Sequence, residues 1–200
     1  YQEVPLKNIL EACEAGGHPN RAYYFFSTSK ITFPGAGISL IASGPDNMKE
    51  FKGHMSSQTI GHDKLNQLRH VQYFKTPENI RAHMAALAEV LRPKFDMVLN
   101  RLEEELEGSG LAVWSRPKGG YFISLDTLAG CAKRTVQLAK EAGVTLTGAG
   151  ATYPYKRDPQ DRNIRIAPTY PTPEELKSAM DIFILCVKIA GIESVVNQGN

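Results

Sequence analysis

Apolar residues along this chain change their spacing several times, and each change marks an element. Leu6, Ile9, Leu10 and Cys13 recur at helical intervals, so Val4 to Ala15 predicts an amphipathic helix, ended by Gly16-Gly17-His18-Pro19. Ala22 to Phe26 is a short aromatic-rich run that reads as a strand. Gly37 to Ser43 is continuously apolar and predicts a buried strand, with Gly44-Pro45 as punctuation. Asp46 to Met55 predicts a helix. Asp63 to Gln72 predicts another, with Asp63 as N-cap and Leu65, Leu68 and Val71 along one side.

The longest periodic segment follows. Thr76 is placed to cap, Pro77 occupies the first helical position, and Ile80, Met84, Leu87, Leu91, Phe95, Val98, Leu102 and Leu106 repeat every three or four residues. Pro93 is expected to kink or divide this helix, because it lacks a backbone donor and crowds the preceding turn. Leu111–Trp114 and Tyr121–Leu125 flank Pro117-Lys118-Gly119-Gly120 in the pattern of a hairpin. Beyond it the pattern predicts a helix over Thr127–Ala142, a short strand over Val144–Thr147 and a polar loop over Gly148–Asp161. A strand over Asn163–Ala167 comes next, and a last helix starts at Thr172-Pro173-Glu174-Glu175 and stops at Gly191. This order suggests two units, residues 1–76 and 77–200, the second a small α+β domain of antiparallel strands covered by helices.

Composition narrows the function classes. In 200 residues, 42% are hydrophobic and 22% charged, with a formal charge of +2, which is ordinary globular composition without a field for polyanions. Basic residues are scattered, so a nucleic-acid partner is not expected. The apolar run Ile182–Val187 ends at Lys188, far short of a membrane span. Tyr1-Gln2-Glu3-Val4-Pro5 has neither the charged nor the apolar region of a signal peptide. Cys13, Cys131 and Cys186 are odd in number and far apart, which speaks against a disulfide framework or a metal site and for buried thiols in a reducing cytoplasm.

The densest chemistry lies in Phe25-Phe26-Ser27-Thr28-Ser29-Lys30-Ile31-Thr32-Phe33-Pro34-Gly35-Ala36-Gly37. A strand runs into three hydroxyl residues and a lysine on a Pro/Gly-rich turn. An amine there can form a Schiff base with a carbonyl, and the hydroxyls beside it can hydrogen-bond a phosphate. Taken alone, Ser-x-Ser-Lys is short and common, and is more often an ordinary surface loop. Two downstream segments change the balance: Pro117-Lys118-Gly119-Gly120-Tyr121-Phe122 and Asn163-Ile164-Arg165-Ile166-Ala167-Pro168.

Together these three segments resemble the pyridoxal-phosphate (PLP) aminotransferases of fold type I, and most closely the subgroup Ic aspartate aminotransferases and the MocR-type aminotransferase domain. The resemblance implies an α/β protein in which 1–76 is the end of the large PLP-binding domain. Residues 77–200 are then the linking helix and small C-terminal α+β domain. It implies PLP as cofactor, Lys30 as the catalytic Schiff-base lysine, Ser27, Ser29 and Thr59 as cofactor-binding residues, and Arg165 as the clamp on the substrate α-carboxylate. A guanidinium suits that role, since it offers two parallel hydrogen bonds and keeps its charge. Arg162 is expected to be a surface or salt-bridge residue, and His62 and His70 to cap or pack.

One departure stands out. Most relatives carry a phosphate-binding arginine about eight residues after the lysine; Gly37 and Ile38 stand there, and no arginine occurs between Lys30 and Arg69. Subgroup Ic is similar in lacking it. The substitutes left open are Ser27, Ser29, the backbone amides of Pro34–Gly37, and Gln58 or Thr59 from a neighbouring subunit. The implied activity is transfer of an amino group between aspartate and 2-oxoglutarate, by a homodimer acting on amino-acid and 2-oxo-acid substrates. The alternative is the PLP-sensing domain of a MocR-type transcription regulator. The resemblance further implies a protein about twice this long. The partner of the ring nitrogen and the aromatic that stacks on the ring would lie upstream of Tyr1, leaving these 200 residues inactive alone.

Overall fold

The structure is a computed structural model and describes residues 5–198; Val4, where the first helix was expected to start, lies outside them. Contacts divide the chain into two compact units, with the division between Ala86 and Leu87, inside the long helix.

In the first unit, α1 (Ile9–Ala15) is shorter than its periodicity suggests, because the Asn8 side chain accepts the Leu10 N–H and fixes the start there. β1 (Tyr23–Ser27) and β2 (Ser39–Ser43) form an antiparallel pair with Tyr23 opposite Ser43 and Ser27 opposite Ser39. The expectation of a buried second strand is not met: Leu40 is 50% exposed and Phe25 on its partner 71% exposed. Among the described strands β2 pairs with β1 alone, and its apolar run is covered only in part, with Ile41 and Ala42 half-buried. α2 (Pro45–Gln58) and α3 (Lys64–Phe74) follow, and Asp63 caps α3 as expected by accepting the Asn66 N–H at 2.9 Å.

The helix α4 (Pro77–Leu106) is a single element; Pro93 lies inside it without dividing it. Only one donor is lost at a proline, and the residues after it, Phe95, Val98, Leu102 and Leu106, form a buried row that holds the helix together. The second unit contains that row and a three-stranded antiparallel sheet in the order β3 (Ala112–Trp114), β4 (Ile123–Thr127), β5 (Asn163–Ile166). Its core joins Val98, Leu102 and Leu106 to Ile123, Leu125, Ile164 and Ile166 of the sheet and to Leu176, Met180, Phe183, Ile184 and Val187 of the last helix.

Three expectations about this unit are corrected. α5 spans Ala132–Glu141, not Thr127–Ala142, because Thr127 belongs to β4 and gives its N–H to Arg162 O, and Gly130 at φ +79° breaks the chain before the helix. Val144–Thr147 forms no strand; Val144 N–H turns back to Ala139 O at the end of α5. The last helix, α6 (Pro173–Gln198), runs through Gly191. Gly191 is buried, and a Cβ there would stand 2.8 Å from Leu111 Cδ2, so the glycine serves close packing within a helix that continues. The start of α6 is the reciprocal cap that the sequence implies: Glu175 accepts the Thr172 N–H (2.9 Å), and Thr172 Oγ1 accepts the Glu175 N–H (3.3 Å). Cys131 and Cys186 are buried and Cys13 half-buried. Among the described residues no helix is long and apolar enough to cross a membrane.

Candidate active site

Lys30 follows β1 on a turn that hydrogen bonds define closely. Thr28 O accepts both Ile31 N–H (2.8 Å) and Thr32 N–H (2.9 Å), so the lysine lies within one closed turn. Thr28 also fastens the turn to the next strand: its N–H donates to Ile38 O and its hydroxyl accepts the Ile38 N–H, each at 2.8 Å. Ser27 Oγ and Ser29 Oγ are 2.6 Å apart, and Ser29 N–H donates to Ser27 Oγ at 3.2 Å. Gly37 packs so closely that a Cβ on it would stand 3.0 Å from Ser29 Cα.

The far side of the loop is anchored on α3. Thr32 Oγ1 lies 2.9 Å from His70 Nε2, and Asn66 Nδ2 donates to Ala36 O at 2.9 Å. Phe33 packs edge-on against His70 and Tyr73, with ring centroids 4.9 and 5.2 Å away. His70 is thus a buried packing residue that also bonds the loop, through a contact with a residue 38 positions away in the chain. Between the β1–β2 ribbon, α2 and the start of α3 lies a cavity of about 620 Å³; Ser27, Ile38, Met55, Gln58, His62 and Asn66 contribute to its wall. Thr59 terminates α2, and its hydroxyl donates to Gly61 O (2.7 Å) and accepts Gly61 N–H (3.2 Å).

Arg165 belongs to the second unit. Alternation along β5 places Ile164 and Ile166 in the core and turns Arg165 to the other face, opposite Ser124 of β4. Its guanidinium carbon lies 4.4 Å from the centroid of the Phe122 ring, a cation–π contact. Arg165 Nε is buried and has no hydrogen-bond partner among the described residues. Arg162, expected to be a surface or salt-bridge residue, is half-buried and donates to Thr127 O and Gln160 Oε1.

Two residues that sequence reasoning did not single out hold this strand. Asn163 is buried; its amide oxygen accepts the Thr152 hydroxyl (2.6 Å), and its amide nitrogen donates to Ser124 Oγ (2.9 Å) and Asp126 Oδ1 (2.8 Å). Asp158 accepts N–H bonds from Asn163 (2.8 Å), Arg162 (2.7 Å) and Gln160 (3.0 Å). Burial works to raise its carboxyl, but the backbone donors of Asn163, Arg162, Gln160 and Asp161 outweigh it and hold it below the usual carboxylate range. The only sequence signal for either was a polar loop running into a strand.

The lysine turn fits part of what PLP requires. It offers one amine and, one and three residues before it, two exposed hydroxyls close enough to share one anion.

Comparison with known proteins gives the same picture. The family described as aspartate amino-transferase matches residues 2–199. An aspartate aminotransferase of Corynebacterium glutamicum is 48% identical over 190 residues, which are 95% of this chain and 44% of that protein. The crystal structure of an aspartate transaminase from Corynebacterium glutamicum is similar with a TM-score of 0.88 and 47% identity, over 96% of this chain and 46% of the other. LysN, the α-aminoadipate aminotransferase of Thermus thermophilus, solved with N-(5'-phosphopyridoxyl)-L-leucine, shares the fold at a TM-score of 0.75 and 20% identity, over 94% of this chain and 47% of that one. The chain therefore spans less than half the length of each of these proteins.

Proposed function

This chain belongs to the aspartate amino-transferase family and carries part of fold type I, and from that premise we propose that its protein is a PLP-dependent aminotransferase acting on aspartate and 2-oxoglutarate. PLP, when bound, supplies a conjugated ring that takes up the electrons released at the substrate Cα. With that cofactor bound, Lys30 would hold it through its ε-amine and would move the proton at the substrate Cα as general base. Ser27 and Ser29 would hold the cofactor phosphate, one of the two hydroxyls turning from the 2.6 Å bond they share to donate. Thr59 is a further donor, from the neighbouring subunit of a cytoplasmic homodimer, its hydroxyl turning from Gly61 O while still accepting the Gly61 N–H. Arg165 binds the substrate α-carboxylate.

The observation that carries this reading is Arg165. A permanent cation lies 4.4 Å from the centroid of Phe122, with a buried Nε left unpartnered among the described residues. Such a group gains most from a planar anion that can accept two hydrogen bonds. The test supplies the protein with PLP, aspartate and 2-oxoglutarate and follows glutamate formation. Arg165→Lys is expected to lower kcat/KM for aspartate roughly 30-fold, the worth of one charge-assisted hydrogen bond at about 2 kcal/mol, with cofactor binding unchanged. An unaltered kcat/KM would remove Arg165 from the substrate site, and absence of transfer from aspartate alone would replace the donor.

A further inference from the structure

We propose that Thr32 and His70 are positioning residues for Lys30, the histidine acting on the lysine turn through the threonine hydroxyl. The proposal rests on the assignment of Lys30 above and extends it to residues that touch neither cofactor nor substrate.

The geometry leads there in three steps. First, the reach of the lysine amine is set by where the turn holds its Cα, and the turn closes on Thr28 O through the Ile31 and Thr32 N–H groups. Thr32 is thus the C-terminal post of the turn. Its hydroxyl lies 2.9 Å from Thr28 Oγ1, the N-terminal post, and 2.9 Å from His70 Nε2. Second, His70 is oriented. Its Nδ1 faces Asn66 O at 2.9 Å, and a carbonyl can only accept, so in the neutral ring Nδ1 carries the hydrogen and Nε2 accepts from Thr32, whose oxygen then accepts from the Thr28 hydroxyl. The ring is 7% exposed and lies edge-on to Phe33, so it has little freedom to turn away. Third, Asn66, which holds Nδ1 through its carbonyl, also ties down the end of the loop: its side chain donates to Ala36 O. Helix α3 therefore grips the loop at Thr32, at Phe33 and at Ala36. Thr32–His70 is the grip nearest the lysine and the one that uses a single hydroxyl hydrogen.

This arrangement transmits position, since misplacing a reacting group by about 1 Å can cost on the order of 100-fold in rate. Loss of the hydroxyl would remove the grip nearest the lysine and leave the loop held to α3 only at Phe33 and Ala36.

The test compares Thr32→Val, which keeps the shape and removes the hydroxyl, with Thr32→Ser, which keeps the hydroxyl. Each protein is titrated with PLP, reduced with borohydride, and mapped for the pyridoxyl label. The wild type is expected to carry the label on Lys30. Thr32→Val is expected to bind the cofactor about tenfold more weakly at an unchanged pH-7 circular dichroism spectrum, and Thr32→Ser to restore binding to within about threefold. His70→Gln, whose amide oxygen can stand in for Nε2, should behave like Thr32→Ser, and His70→Leu like Thr32→Val. Equal binding by His70→Gln and His70→Leu would overturn the proposal even where Thr32→Val does not fold, as would a Thr32→Val protein that binds as the wild type does. A wild-type label on another lysine would instead sink the assignment of Lys30, a result separate from either of these.

Discussion

At the scale of single residues, the recurring device is a short polar side chain that takes up backbone hydrogen bonds near a candidate site residue. Thr28 does so before Lys30 and Asp158 before Arg165. For Asp158 the device has a pH signature. Its carboxyl is held below the usual range in the folded chain. A carboxylate depressed in this way contributes stability that is present above its unfolded value of about 3.9 and is lost as pH falls through its folded value. Asp158→Asn removes that contribution, so the variant should melt below the wild type at pH 7, and the gap should narrow as pH falls below about 4. Melting temperatures at pH 7 and pH 3 measure it. A gap of the same size at both would mean that the charge on Asp158 contributes nothing. Gly37 works by its lack of a side chain, since any Cβ would press on the Ser29 backbone beside the lysine.

At the scale of elements, what was legible in the sequence was what is locally encoded. The caps at Asp63 and Thr172, the hairpin flanking Gly119-Gly120, and the alternation that turns Arg165 away from the core all follow from neighbours in the chain. What was not legible depends on residues far apart. Helix α2 begins at Gly44, which has no side chain to cap with, and the cap comes from Asn20. Its Oδ1 accepts Asp46 N–H at 3.2 Å and its Nδ2 donates to Asp46 Oδ2 at 2.7 Å. The glycine and the borrowed cap explain one another, because a Cβ on Gly44 would stand 2.2 Å from Asn20 Oδ1. Gly191 misled for the same reason: read locally it is a helix stop, whereas its place against Leu111 comes from tertiary packing. The same separation hid the partner of His70 Nε2, which is 38 residues away at Thr32 and becomes visible only in three dimensions. Asn20→Ala should therefore destabilise α2 as loss of an ordinary N-cap does, by about 1 kcal/mol, despite lying outside that helix. Chemical denaturation of the variant checks this, and a change below about 0.3 kcal/mol would show that water replaces the cap at no cost.

At the scale of the whole molecule, burial is unequal between the two units. Among the described residues from 5 to 86, only Gly44, His70 and Phe74 are buried, and Phe25, Ile60, Leu65, Leu68 and Val71 are more than half exposed. The second unit has Leu102, Leu106, Ile123, Leu125, Ile164 and Ile184 all at 2% exposure or less. Apolar burial is the main favourable term in folding, at roughly 25 cal/mol per Å², so within these 200 residues the second unit draws more stability from its core than the first. The unit that carries Lys30 depends more on side-chain to backbone hydrogen bonds. Regions with few buried apolar contacts open first. Amide hydrogen exchange should therefore find β4, β5 and the Val98–Leu106 stretch of α4 slowest, with β1 and β2 exchanging at least about 100-fold faster, a difference of about 2.7 kcal/mol in opening free energy. Leu125→Ala, which opens a cavity in the core and costs about 3 kcal/mol, should speed exchange in β4 and β5 and leave the rates of β1 and β2 nearly as they were. Equal protection in the two ribbons, or a Leu125→Ala effect spread evenly over both, would show that the chain opens as one cooperative body and that the hydrogen-bonded lysine loop is as firmly held as the core.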